Sequence, residues 1–174
     1  MHPLSLFQYC PICGAKAFHD HNFKSKRCEQ CGFVYYFNPC AATVALLLNE
    51  ENELLVCQRA KEPAKGTFDL PGGFCDMDET IEEGMLREIK EETGLVPTHI
   101  EYLFSLPNRY PFSGFEVHSL DCFFLCRVSD ISSLRSMDDA ANCHFLPLDQ
   151  IDPSLFGLTS VRTGLQRFLK DPQA

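Results

Sequence analysis

Apolar and polar positions alternate along this chain with two periods. From Ala41 to Leu48 the chain is almost continuously apolar, and the run is far too short to span a bilayer. Leu54 to Arg59, Ile100 to Leu106 and Phe115 to Val128 are rich in β-branched, aromatic and leucine residues and read as strands. Between them Ile81, Met85 and Ile89 recur every four residues, the stripe of an amphipathic helix. Asp78 or Thr80 can cap its start, Thr80 and Glu83 have capping-box spacing, and Gly94 suits a left-handed C-cap. Leu158 to Leu169 reads as a closing helix. Strands interrupted by helices in this order suit an α/β fold with a mixed sheet covered on both faces.

The first 38 residues do not follow this pattern. Cys10-Pro-Ile-Cys13 and Cys28-Glu-Gln-Cys31 are two CxxC knuckles with fourteen residues between them. Four thiolates so spaced can close a tetrahedral shell around Zn²⁺ with no position left open for substrate. Gly14 and Gly32 follow the second cysteine of each knuckle, where a tight turn is needed. So short a segment has too little core to fold alone, and metal binding can supply the difference. Redox-active CxxC pairs are the alternative, but no thioredoxin-like pattern surrounds them. The other six cysteines, Cys40, Cys57, Cys75, Cys122, Cys126 and Cys143, mostly lie in apolar stretches and read as small buried hydrophobes.

Charge changes the picture at the same boundary. Residues 1–38 hold four bases against two acids, while the remainder holds 11 bases and 22 acids, for a net charge of −9. An acidic surface argues against broad nucleic-acid binding. Lys16, Lys24, Lys26 and Arg27 of the first segment leave room for a strand-holding role but read more simply as a solvated face. We divide the chain into residues 1–38, a zinc ribbon, and residues 39–174, a second and larger domain. With no signal-peptide pattern at the N-terminus and no membrane-length apolar run, a cytoplasmic protein with no membrane association is the expectation.

Candidate chemistry concentrates between residues 72 and 95. Glu88, Glu91 and Glu92 stand at i, i+3 and i+4, so their carboxylates share one helix face. Like charges gathered in this way repel unless a cation sits among them, and hard divalent cations take such oxygen ligands. A solvated acidic face salt-bridged by Arg87 and Lys90 is the plainer reading, and the wider context disfavours it. Gly73, Glu79, Arg87, Glu88, Ile89, Glu91, Glu92, Gly94 and Leu95 fit G-x5-E-x7-R-E-U-x-E-E-x-G-U, the Nudix box, where U is a bulky aliphatic residue. Seven fixed positions at about 7% each make a chance match on the order of 10⁻⁸ per window.

The chain thus resembles the Nudix hydrolases, and the resemblance implies an α/β/α sandwich with a mixed sheet. It further implies Mg²⁺ or Mn²⁺ held by Glu88, Glu91 and Glu92 and by the Gly72 carbonyl. Arg87 would orient the glutamates, Glu79 would brace the loop, and Glu91 would be the base. The four-cysteine ribbon ahead of the box resembles the NADH pyrophosphatase branch in particular. That branch carries S-Q-P-W-P-F-P-x-S beyond its box, and here the run is Ser105-Leu-Pro107-Asn-Arg-Tyr110-Pro111-Phe112-Ser113. The resemblance makes Pro107, Tyr110, Phe112 and Ser113 candidates for substrate binding, with Leu106 and Asn108 as departures; a Pro-rich surface loop is the alternative. A further metal-binding glutamate of the family aligns with Asn142, for which Asp138, Asp139 or Glu116 are possible substitutes. The implied reaction cleaves the diphosphate of an NADH-, NAD- or ADP-ribose-type nucleotide. Hydrolysis of nucleoside triphosphates or RNA caps, and a non-catalytic nucleotide sensor, are the alternatives. A homodimer is implied by the resemblance alone.

Overall fold

The computed structural model describes residues 2–135 and 140–170. Contacts between Cα atoms divide the chain into Met1–Pro39 and Cys40–Ala174.

The first unit is a three-stranded antiparallel sheet of β1 (Phe18–Asn22), β2 (Ser25–Cys28) and β3 (Val34–Tyr36), in that order. Its apolar interior is small: Phe18, Cys10 and Cys28 are buried, with Ala15 and Phe33 packed against them. Each knuckle closes on a glycine in the left-handed region, Gly14 at φ 73° and Gly32 at φ 79°. Their amides donate to the carbonyls of Cys10 and Cys28, both at 2.9 Å. Lys26 does not join a solvated basic face. It is buried, its Nζ donating to the Phe7 carbonyl at 2.7 Å and lying 3.6 Å from Asp20.

The second unit is built on a six-stranded mixed sheet. β4 (Cys40–Leu48) lies in its middle, parallel to β8 (Phe115–Arg127) in register from Cys40 opposite Ser119 to Leu48 opposite Arg127. β7 (His99–Phe112) pairs antiparallel with β8 and ends that side of the sheet. On the other side β5 (Glu53–Arg59) pairs antiparallel with β4, β6 (Phe68–Asp69) and β9 (Ala140–Pro147).

The continuous apolar run of β4 serves both faces. Val44, Leu46 and Leu48 enter one core with Phe123, Val161, Leu165 and Phe168, while Ala45 and Leu47 enter another with Met85, Ile89 and Leu95. Two helices cover these faces, α1 (Ile81–Thr93) on the second and α2 (Thr159–Phe168) on the first. The α/β/α sandwich with a mixed sheet is therefore what the structure contains. Gly164 lets α2 approach closely, since a Cβ there would come within 2.2 Å of the Phe123 ring.

Three sequence expectations need correction. The segment beyond Leu106 is not a Pro-rich surface loop: β7 runs unbroken to Phe112, and a two-residue turn at Ser113-Gly114 (φ 51° and 73°) joins it to β8. Pro107 and Pro111 are tolerated because β7 is the terminal strand of the sheet, where a missing N–H need not break a ladder. Secondly, Cys57 and Cys143 are not isolated buried thiols; they stand opposite one another across β5 and β9 and are joined as a disulfide. Thirdly, Cys40 is exposed, whereas Cys126 is buried and burial pushes its thiol up to about 12. Among the described residues no helix is long and apolar enough to cross a membrane.

Candidate active site

The loop Leu70–Thr80 and helix α1 form one structural piece. Pro71 and Gly73 offer their carbonyls to the amides of Ala45 and Thr43 at 2.7 and 2.8 Å, and the Cys75 amide returns a bond to Ala41 at 3.1 Å, so the loop lies along β4. Between those carbonyls, that of Gly72 accepts no hydrogen bond from the described residues. Gly72 has φ 146°, and a Cβ on it would stand 2.1 Å from the Thr43 carbonyl oxygen, so no other residue fits. α1 then starts on a complete capping box, with the Glu83 amide donating to Thr80 Oγ1 at 3.2 Å and the Thr80 amide to Glu83 Oε2 at 2.8 Å. It ends on Gly94 at φ 75°, and Met85 and Ile89 of its apolar stripe are fully buried.

Burying that stripe turns the charged residues of α1 toward the loop. Arg87 is their hub. Its Nε and Nη2 donate to the two oxygens of Glu79 at 2.7 and 3.0 Å, Nη1 donates to Glu88 at 2.8 Å and Glu91 at 3.1 Å, and Nη2 also reaches the Phe74 carbonyl at 2.9 Å. Glu79 additionally accepts from the Asp76 amide at 2.8 Å. These donors hold its carboxyl below the usual range, the Arg87 bonds foremost. Glu88 is the reverse case: burial pushes its carboxyl up, and Arg87 only partly offsets it. Glu92 turns to the loop, accepting from the Gly72 amide at 3.0 Å.

A cavity of about 560 Å³ opens beside this piece, within the size range of small-ligand sites. Gly72, Gly73, Glu88 and Glu92 line one side; Asn108, Tyr110 and Phe112 of β7 line another. Glu91, with its side chain 55% exposed, lies outside the lining, and so do Pro107 and Ser113. Alternation along β7 explains the split, because residues 108, 110 and 112 share a face that 107 does not. Asn142 sits exposed at a β-bulge opposite the Cys57–Gln58 step, with φ 57°, and does not line the cavity. Glu116 is likewise outside it and bonds His118 at 2.9 Å. Asp138 and Asp139 lie outside the described residues.

Two buried groups escaped the sequence reading. Asn108 looked like the loss of an aromatic, yet it is only 7% exposed and lines the cavity. Asp121, hidden in a strand pattern, is also buried there, accepting from Ser119 Oγ at 2.6 Å and Ser160 Oγ at 2.5 Å. The polar position Asp121 within the apolar run of β8 was the available signal. Near it the Arg59–Asp69 ion pair forms part of the wall; burial raises the Asp69 carboxyl and Arg59 opposes the rise.

The cysteine quartet is the one group of potential metal ligands whose donor atoms all lie within 4.8 Å of each other among the described residues. Its Cys10–Cys31 and Cys13–Cys28 sulfur pairs are each 3.7 Å apart. Four sulfurs about 2.3 Å from a tetrahedral Zn²⁺ would be separated by about 3.8 Å, so the donor set fits that ion. Glu88, Glu91 and Glu92 form no such cluster.

Residues 38–168 match the family model described as NUDIX domain. The ADP-ribose pyrophosphatase of Methanocaldococcus jannaschii is 37% identical over 123 residues, 70% of this chain and 69% of that protein. The NAD-capped RNA hydrolase NudC of Vibrio vulnificus is 30% identical over 64% of this chain, a match that spans 42% of that longer protein. Among solved structures, a NUDIX hydrolase from Nitrosomonas europaea superposes with a TM-score of 0.74 at 20% identity, covering 94% of this chain and 91% of that one. The chain belongs to the Nudix family. Its members use divalent metals, and the cysteine cluster is a second place where a metal can be held.

Proposed function

We propose that this protein hydrolyses the diphosphate linkage of a nucleotide derivative of the ADP-ribose or NAD type, with Mg²⁺ or Mn²⁺ bound by Glu88, Glu91, Glu92 and the Gly72 carbonyl. The observation that carries the reading is the convergence of Gly72, Glu88 and Glu92 on one wall of a cavity whose other wall offers Tyr110 and Phe112. Carboxylates and an unengaged carbonyl are the hard oxygen donors that such cations prefer. A partly buried Glu88 whose charge is disfavoured is a group that a nearby cation would stabilise.

Cations held by these groups would supply Lewis acidity toward the diphosphate and would lower the pKa of the attacking water. The residues of the chain do the rest. Gly72 and Gly73 keep the loop close to β4 and leave the Gly72 carbonyl available to the cation. Arg87 positions Glu88 and Glu91, and Glu79 anchors Arg87. Glu91, a partner of Arg87 with its side chain 55% exposed, takes the proton. Tyr110 and Phe112 provide apolar faces for the nucleoside half. The relative named ADP-ribose pyrophosphatase supports the choice of substrate class.

In the first unit the quartet Cys10, Cys13, Cys28 and Cys31 is proposed to hold Zn²⁺ in a structural role, and a homodimer is proposed on the family resemblance. Metal analysis and sedimentation of the purified chain check these two points.

The test is chromatography of products from ADP-ribose, NAD and NADH with Mg²⁺ or Mn²⁺. Two monophosphates, lost in Glu88→Gln and Glu91→Gln, are expected. Intact substrates in every case would sink the reading, and cleavage that persists in Glu88→Gln would remove the metal assignment.

A further inference from the structure

The hydrolytic reading leaves one wall of the cavity unexplained. Along β7 the side chains of Asn108, Tyr110 and Phe112 face the cavity, and Asn108 stands opposite Ser119 of β8. Asp121, two residues further along β8, shares that face and also lines the cavity. Directly opposed and diagonal cross-strand positions lie about 5 and 7–8 Å apart, a span that one heterocycle bridges.

The hydrogen-bond inventory of this wall is incomplete at Asn108. Asn108 is 7% exposed, and its Oδ1 accepts from the Arg109 amide at 3.0 Å. Its Nδ2 donates to nothing among the described residues, although a carboxamide nitrogen carries two N–H donors. Nδ2 is not sealed in the protein interior but borders the cavity, where it can donate to an acceptor arriving from within it. Asp121 is the complement. Its two oxygens accept from Ser119 and Ser160, each with capacity for a second donor, and it is fixed in place by those hydroxyls. Donor, acceptor and the Tyr110 ring therefore stand together on one wall, away from the carboxylates of α1.

We infer that Asn108 is the residue that selects the nucleobase, donating from Nδ2 to an acceptor atom on the edge of the ring while Asp121 accepts from the neighbouring N–H. The inference rests on the reading that the cavity takes a nucleotide. It goes further by assigning base discrimination to a hydrogen-bonding pair rather than to aromatic stacking, which is indifferent to the base. Bases differ in where the edge presents donor and acceptor, so a fixed pair favours one of them.

The test is equilibrium binding by calorimetry, in Mg²⁺, of the α,β-methylene diphosphates of adenosine, guanosine, cytidine and uridine, which share one uncleavable diphosphate mimic. The native protein is expected to prefer one base by about tenfold or more. Asn108→Leu should bring the four affinities together. Asn108→Asp, which replaces the donor with an acceptor in the same shape, should move the preference to a different base. Thermal unfolding of each variant confirms that it is folded. Equal affinities in the native protein, or variants that weaken all four ligands by the same factor, would overturn the inference. Failure here is separable from failure of the hydrolytic reading. Diphosphate cleavage that is indifferent to the base leaves the hydrolase and removes Asn108 as selector. Base-selective binding without cleavage does the opposite.

Discussion

Arg87 and Glu79 face each other as a two-pronged pair, Nε to Oε1 at 2.7 Å and Nη2 to Oε2 at 3.0 Å, eight residues apart across the start of α1. The pair ties the loop to the helix, and the remaining nitrogen of the same guanidinium reaches Glu88 and Glu91. One planar group thereby sets the relative positions of three carboxylates and the Phe74 carbonyl.

Lysine cannot replace it. An ammonium is a point charge that cannot keep the planar two-pronged geometry to Glu79 while also holding Glu88. Arg87→Lys is therefore expected to reduce kcat/KM by about 10²-fold through displaced carboxylates. The unfolding midpoint should fall only slightly. Steady-state rates on the substrate found in the chromatographic assay, with a melting curve of the same sample, check this. Unchanged kcat/KM would mean that Arg87 is only a surface ion-pair partner.

The same contact predicts a pH dependence of stability. Bonds from Arg87 and the Asp76 amide lower the folded carboxyl of Glu79 below its ordinary 4.5. A depressed folded value favours the charged form, so the contribution is fully present above about pH 4.5 and fades as pH falls through the lowered value. Melting curves of native protein and Glu79→Gln should differ by a constant amount from pH 7 to 5 and converge at more acid pH. A difference that grows on acidification would contradict the assignment.

Gly72 and Gly73 separate backbone need from side-chain room. At Gly72 the left-hand φ and the 2.1 Å approach to the Thr43 carbonyl are both backbone constraints, so Gly72→Ala should destabilise the fold by about 2–4 kcal/mol. At Gly73 the three nearest atoms to a Cβ all belong to the Glu88 carboxylate, the first at 2.6 Å, and that side chain can swing aside. Gly73→Ala should leave the protein folded and lower activity by displacing Glu88. Denaturant titration and product assay on both variants distinguish the two. Equal stability losses would show that the neighbourhood of Gly73 is as rigid as that of Gly72.

Helix α1 was legible because every level agrees: the four-residue stripe, the capping box, the terminal glycine and the box motif all point to Thr80–Gly94. The strands β5 and β8 were legible from their residue types, and β4 from the family resemblance. β7 was cut short at Leu106 because Pro107 and Pro111 are loop signals unless the strand is known to be an edge, and edge position is decided by strands distant in sequence. Asn108 was misjudged for a related reason. It was read only as a departure from the family's aromatic at that place, and the pairing with Ser119 is what brings it to the cavity wall. The Glu91 role was carried by the motif, and its exposure outside the cavity lining depends on the tilt of α1, which no periodicity gives.

The pairing of Cys57 with Cys143 depends on register to the same degree. The two are 86 residues apart, and a shift of one residue between β5 and β9 would send their side chains to opposite faces. With the bulge at Asn142 setting that register, the disulfide joins the wall of the cavity, where Cys57 lies, to the neighbouring β9. Cross-linking across so long a loop constrains the unfolded chain, and removing the bond should cost about 2–4 kcal/mol of stability. Cys57→Ser with Cys143→Ser should therefore unfold at lower denaturant than the native protein prepared without reductant. Eight of the ten cysteines are free, so a thiol titration of chelator-treated, denatured protein should count eight before reduction and ten after it. Ten thiols before reduction, together with equal stability of the double variant, would mean that these two cysteines face each other as thiols and that β9 is held by its backbone ladder alone.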